Sequence, residues 1–290
     1  MPGRSPVPER RLQQPGTIAA ERFESLEGVG RTFEFILGPG LSLNAAIARQ
    51  LSKTNLKAAA LVLEGGAFAP FHYLMPALSS DGYHAAWYSE TFSPAGETRL
   101  LNGNATFGER DRAPFIHCHA LWVQQDGKRC AGHILAHETI ISRPIRATAW
   151  GVEEVRMVSE PDEETAFTLF HPLPAAPLAA TTGTRTVIAR VGPNEDIIET
   201  VEAICRKHGF AGATLRGGVG SLIGARYADG STVDDIATEV FVTQGFVAAH
   251  AAGTHLEIAM VDTKGNITHG SLLRGENPVC ITFELCLEEA

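Results

Sequence analysis

Apolar positions along this chain follow two kinds of spacing. Leu41, Leu43, Ala46, Ile47 and Leu51 recur at the period of a helix, and so do Ile197, Ile198, Val201, Ile204 and Cys205. Most of the remainder reads as strands separated by glycine-containing turns. Strands and helices do not alternate regularly, so the pattern predicts an α+β fold rather than a doubly wound sheet.

The pattern also repeats itself. "RTFEFILGPGLSLNAAIARQLSKTNLKAAALVLEGGAF" (31–68) parallels "RTVIARVGPNEDIIETVEAICRKHGFAGATLRGGVG" (185–220). Each runs as an apolar strand, a Gly-Pro turn, an amphipathic helix, a second apolar strand and a Gly-Gly bend. Further on, "HCHALWVQQDGKRCAGHIL" (117–135) parallels "HLEIAMVDTKGNITHGSLL" (255–273), with Gly127 matching Gly265 and Gly132 matching Gly270. The spacing between these blocks is longer in the first copy, which places an insertion at "FHYLMPALSSDGYHAAWYSETFSPAGETRLLNG" (71–103). Residues 153–184 begin acidic and end rich in Pro, Ala and Thr, the composition of a linker or an extended crossing segment. The expected organisation is a flexible Pro- and Arg-rich tail over residues 1–25 and two tandem copies over 26–175 and 176–290. Each copy would hold a mainly antiparallel sheet and one main helix.

Length and composition agree with this division. A chain of 290 residues exceeds the usual single domain, and 44% hydrophobic with 20% charged residues is ordinary for a globular protein. No run of about eighteen apolar residues suggests a membrane span, and the first residues lack the apolar stretch of a secretory signal. Five cysteines without a CxxC pair argue against a disulfide framework and for a reducing, cytoplasmic setting. A formal net charge of -9 opposes attraction to nucleic-acid phosphates.

The candidate chemistry lies in "HCHALWVQQDGKRCAGH" (117–133). His117 and His119, two apart on a strand, leave the same face. The turn that follows decides where His133 falls. A two-residue Asp-Gly loop would pair Ala120 with His133 and put the histidines on opposite faces. A three-residue loop, Gln125-Asp126-Gly127, pairs His119 with His133, and the three imidazoles converge. Three neutral imidazoles with an open position suit catalytic zinc, so Zn²⁺ is the preferred ion, although Fe, Ni and Cu also accept imidazole. The apolar neighbours Phe115, Leu121 and Val123 share the histidine face and would lower the histidines' affinity for protons. The matching positions in the second copy are His255, Glu257 and Ser271, a set expected to bind metal weakly or not at all.

These motifs in this order, above all "GVGSLIGARYAD" (218–229) and "PFIHCHALWVQQDGKRCAGHIL" (114–135), resemble the plant-and-prokaryote-conserved (PPC) domain in two tandem copies. The resemblance implies a compact α+β domain that assembles as a trimer, and it puts a metal-ligand role on His117, His119 and His133. Plant members join the domain to an AT-hook and act on DNA. "PGRSP" (2–6) lacks the Arg-Gly-Arg-Pro core of that hook, so DNA binding comes to this chain by analogy of fold alone.

Two function classes fit these residues. One is a metal-dependent enzyme acting on a small polar or carboxylate-bearing molecule. Its acid–base candidates are Glu90, Glu64, His72 and Glu138, and Arg31, Arg99 and Arg146 could hold a substrate carboxylate. The other is a non-catalytic binding or regulatory module.

Overall fold

The computed structural model describes residues 10–176, 182–248 and 253–290. Its first half runs β1 (Phe23–Leu37), α1 (Leu43–Leu51), β2 (Ala58–Glu64), β3 (Thr98–Arg110), β4 (Ala113–Val123), β5 (Arg129–Ile134) and β6 (Ile145–Val152). A hairpin follows, β7 (Val155–Pro161) and β8 (Thr168–Pro174). The second half runs β9 (Thr184–Val191), α2 (Ile197–His208), β10 (Gly212–Leu222), β11 (Thr238–Ala248), β12 (His255–Asp262), β13 (Ile267–Ser271) and β14 (Val279–Glu289). Several two- and three-residue strands fill the connections.

Hydrogen bonding gives the two halves one topology. The first sheet has the order β1-β6-β2-β3-β4-β5, antiparallel throughout. The second has the order β9-β14-β10-β11-β12-β13, likewise antiparallel. β1 joins them: its first part, Phe23 to Gly30, pairs with β9, and Arg31 to Leu37 pair with β6.

Each helix covers one face of its own sheet. Ser42 caps α1 by accepting from the Ala45 amide, and Asp196 caps α2 by accepting from Glu199. Gly209 closes α2 in the left-handed conformation, just beyond Arg206, Lys207 and His208 in the last turn, where positive charge suits the helix dipole. The apolar stripe of α1 packs with Leu61, Leu63, Trp122 and Ala147, and that of α2 with Leu215, Val240, Ile258 and Phe283. Strand alternation sends the intervening residues to the opposite faces, and these pack on each other: Leu121 and Ala131 meet Val219, Phe241, Ala259 and Val261. The layers are therefore helix, sheet, sheet, helix. On β4, Cys118, Ala120 and Trp122 point toward α1, so His117 and His119 point into the seam between the halves.

Both hairpins close through three-residue loops. The Gln124 amide donates to the Lys128 carbonyl and Gly127 takes φ 86°; Asp262 and Asn266 do the same around Gly265 at φ 83°. That left-handed position favours glycine. The resulting register pairs His119 with His133 and Glu257 with Ser271.

Two expectations need correction. The tail over residues 1–25 is packed in its described part. Arg10 donates to the Ile223 and Glu276 carbonyls, buried Gln14 donates to the Cys280 carbonyl at 2.9 Å, and Arg22 meets Glu164 at 2.6 Å. Its Pro- and Arg-rich composition predicts a free segment, yet Arg10 and Gln14 donate to main-chain carbonyls of the second half. Residues 1–9, with the "PGRSP" stretch, lie outside the described residues. The segment 153–184, read as a linker, contains the hairpin β7–β8, held against β3 where Val158 pairs with Glu109. No helix among the described residues is long and apolar enough to cross a membrane.

Candidate metal centre

The three histidines meet. Their ligand nitrogens lie within 4.8 Å of one another, the one such group of three or more potential ligands among the described residues. Ring centroids are 4.6 Å (His117 to His119), 5.1 Å (His117 to His133) and 5.4 Å (His119 to His133) apart. β4 supplies the first two and the G-H step of β5 supplies the third.

The second half completes the site with two carboxylates. Glu284 of β14 faces His117 Nδ1 at 2.9 and 3.0 Å. Glu239 of β11 places Oε2 2.5 Å from His119 Nε2, and His119 Nδ1 lies 2.9 Å from the Val240 carbonyl oxygen. Both Nδ1 partners are acceptors, so both Nδ1 atoms carry the proton as donors, which leaves lone pairs on the two Nε2 atoms. Those lone pairs face each other at 2.9 Å, with Glu239 beside them. Two lone pairs and a carboxylate oxygen at these separations repel unless a cation sits among them, either a proton or a metal ion. His133 Nδ1 is buried without a hydrogen-bond partner. The donor set therefore fits an imidazole-preferring metal, with Glu284 in the carboxylate–histidine arrangement that fixes ring orientation.

The electrostatics are uneven. Burial works against a charge on His117, but the Glu284 carboxylate outweighs it and raises its proton affinity above the ordinary imidazole value. Burial, with the neighbouring His117 and His119, drives His133 well below that value. The expected loss of proton affinity thus holds for His133 and is reversed at His117.

Above the histidines lies a cavity of about 360 Å³, within the range of small-molecule sites. The 71–103 insertion contributes Trp87 and Tyr88, with the Tyr88 ring 5.2 Å from that of His133. The hairpin β7–β8 contributes Ser159, Leu169 and Phe170, its turn contributes Phe167, and β3 contributes Arg110. Burial, with Glu239 and Glu284 nearby, raises the Tyr88 hydroxyl and keeps it protonated.

Most of the acid–base and carboxylate-binding candidates read from the sequence lie elsewhere. Glu64 and Arg146 pair with each other at 2.9 Å on the surface, and Arg31 pairs with Glu153 at 3.1 Å. His72 is engaged by Ser93 at 2.7 Å, and Glu90 and Arg99 are exposed outside the cavity lining. Glu138 alone of these lines the cavity. The groups that reach the histidines, Glu239 and Glu284, come from the other half of the chain. Their signal in the sequence is a lone glutamate inside an otherwise apolar strand, "ATEVFV" and "ITFELCL", where burial demands a partner. In the second copy His255 and Glu257 are exposed.

Residues 178–290 match the family model of the Plants and Prokaryotes Conserved (PCC) domain. That match lies wholly in the second half of the chain. No curated protein matches it. Among solved structures it is similar to a metal-containing protein from Archaeoglobus fulgidus, at 20% identity and TM-score 0.40, over 49% of this chain and 94% of that one. It is also similar to a plant- and prokaryote-conserved protein from Pyrococcus horikoshii, at 16% identity and TM-score 0.42, over 54% and 99%. A third, provisionally assigned as DNA-binding, comes from Bacteroides thetaiotaomicron, at 11% identity and TM-score 0.37, over 52% and 98%.

Proposed function

We propose that the chain is a tandem PCC-domain protein, with residues 26–175 the first copy, which carries the histidines, and 176–290 the second, that binds one zinc ion at His117, His119 and His133 and acts as an enzyme on a small polar or carboxylate-bearing molecule. The observation that carries this reading is the 2.9 Å approach of the His117 and His119 Nε2 atoms while both Nδ1 atoms face acceptors and His133 Nδ1 is buried without a partner. The repeated strand order supports the tandem arrangement.

When bound, the metal would supply Lewis acidity at the floor of the cavity. The chain's own residues do the rest. Glu284 holds the His117 ring and tautomer. Glu239 puts a carboxylate 2.5 Å from His119 Nε2, placed to take a proton from a molecule entering the cavity. Trp87, Phe167 and Phe170 give the cavity apolar walls. The DNA reading draws no support from a net charge of -9.

Zinc titration of the chelator-treated chain tests this. The expected result is one ion per chain and a rise in Tm with saturation. Absence of binding, with a Tm indifferent to chelator, refutes it. Glu284→Gln keeps the shape but loses the charge that orients His117, and its zinc affinity is expected to fall about 10- to 100-fold.

A further inference from the structure

We infer that Arg110 anchors the carboxylate of a small monocarboxylate with an apolar body, lying in the cavity with its other end toward the histidines. Arg110 ends β3 at the cavity wall, half-buried, with its guanidinium carbon 3.7 Å from the centre of the Phe115 ring. Its Nε donates to Ser159 Oγ at 3.0 Å, which fixes the plane of the fork and leaves both terminal nitrogens free of that bond. Among the described residues no carboxylate forms an ion pair with it, and the adjacent Glu109 is taken by Arg156 at 2.7 Å. Arg22, Arg31, Arg146 and Arg190 each hold a carboxylate, so this half-buried cation stands apart from those surface and structural pairs.

The rest of the cavity defines the ligand's body and charge. Trp87, Phe115, Phe167, Leu169, Phe170 and Ile281 offer it mainly apolar walls. Arg110, His117, His119 and His133 line the same cavity of about 360 Å³, so one small molecule inside it meets both the guanidinium and the imidazole side. Glu138, Glu239 and Glu284 line the same space. A phosphate dianion would meet all three carboxylates with a single guanidinium to compensate, whereas a carboxylate brings one charge to the one cation. The inference rests on the proposed function only for the ligand's far end at the metal. The anchor itself stands on Arg110 and the walls.

Calorimetric titration of the full chain, zinc-loaded and chelator-treated, with 3-phenylpropanoate, 3-phenylpropanamide and 2-phenylethyl phosphate tests it. The acid is expected to bind the zinc-loaded chain about tenfold or more tighter than the amide, the size of a charge-assisted contact. Arg110→Met, which keeps the stem over Phe115, is expected to bring acid and amide to within about twofold while Tm and zinc stoichiometry hold. Arg110→Lys keeps the charge without the fork and is expected to retain part of the preference, a second reading should the methionine variant fold poorly. No binding of the acid, no preference for it over the amide, a preference that survives in Arg110→Met, or tighter binding of the phosphate each overturns the inference. An Arg110-dependent acid preference in a chain that takes up no zinc sinks the metal reading alone. Zinc uptake without acid preference sinks the anchor alone.

Discussion

Replacing His117, His119 or His133 singly by alanine is expected to lower zinc affinity by roughly 10²- to 10³-fold, measured by competition with a chromogenic chelator. Zinc sites built from protein ligands are worth about 10–16 kcal/mol in total, so one ligand in a set of three or four carries about 3–4 kcal/mol. His255→Ala, at the matching but exposed position of the second half, is the control and should leave the affinity unchanged. The three losses should not add, because once one imidazole is gone the other two no longer enclose the ion. Equal affinity in the triple variant and the parent would remove the metal from this site altogether.

Arg190→Met is expected to cost about 3–5 kcal/mol of stability, read from denaturant unfolding, because it leaves the buried Asp162 carboxylate without its cation. Arg190 is 5% exposed and meets Asp162 at 2.6 Å and Glu24 at 3.2 Å, and Glu24 also meets His171. This network ties the hairpin β7–β8 to β1 and β9, and the hairpin carries the cavity wall at Ser159, Phe167 and Phe170. Burial alone would raise both carboxylates. At Glu24 the histidine and Arg190 outweigh it, and at Asp162 Arg190 and Thr165 do, so both are held below the ordinary carboxylate range. Groups lowered on folding stabilise fully above their unfolded values, near 4, and that contribution fades as pH falls through the folded values. Stability should therefore drop as the pH goes below about 4, and less steeply in Arg190→Met. An equal acid slope in the two proteins would show that the network does not carry the linkage. Replacing Asp162 by leucine together with Arg190→Met should recover part of the loss, because removing both charges leaves no buried carboxylate there unpaired.

The features legible in the sequence are those set by short stretches of chain. Helical spacing marked both helices, the repeat marked the two sheets, and "QQDGKR" with "DTKGN" marked two hairpins whose glycine needs a left-handed φ. The sequence left two registers open for His133, and the three-residue loop closed by Gln124 and Lys128 selects the one that pairs it with His119. The acid–base and anion-binding groups were not legible in the same way. Glu90, Glu64 and His72 have only proximity to the likely site elements to commend them, and Arg31 and Arg99 only their residue type. The groups at the site instead cross between halves: Glu284 is 167 positions from His117, and the Val240 carbonyl 121 from His119. The polar segment before β1 and the hairpin β7–β8 were missed for a related reason. Their sequences carry little periodic apolar signal, and their places are fixed by caps and ion pairs to distant strands.

By itself, then, the sequence determined a repeated pattern of elements and a pair of imidazoles on one strand face, with a third in reach under one of two loop registers, because strand alternation and turn geometry act over a few residues. The tertiary structure alone decided what those imidazoles face. Stacking the two sheets with their helices outward turns the odd positions of β4 into the seam, where Glu239 and Glu284 arrive from the second half and Arg110 arrives at the rim of the cavity. Packing of one apolar sheet face on another sets that arrangement, and no local spacing encodes which charged side chains it brings together.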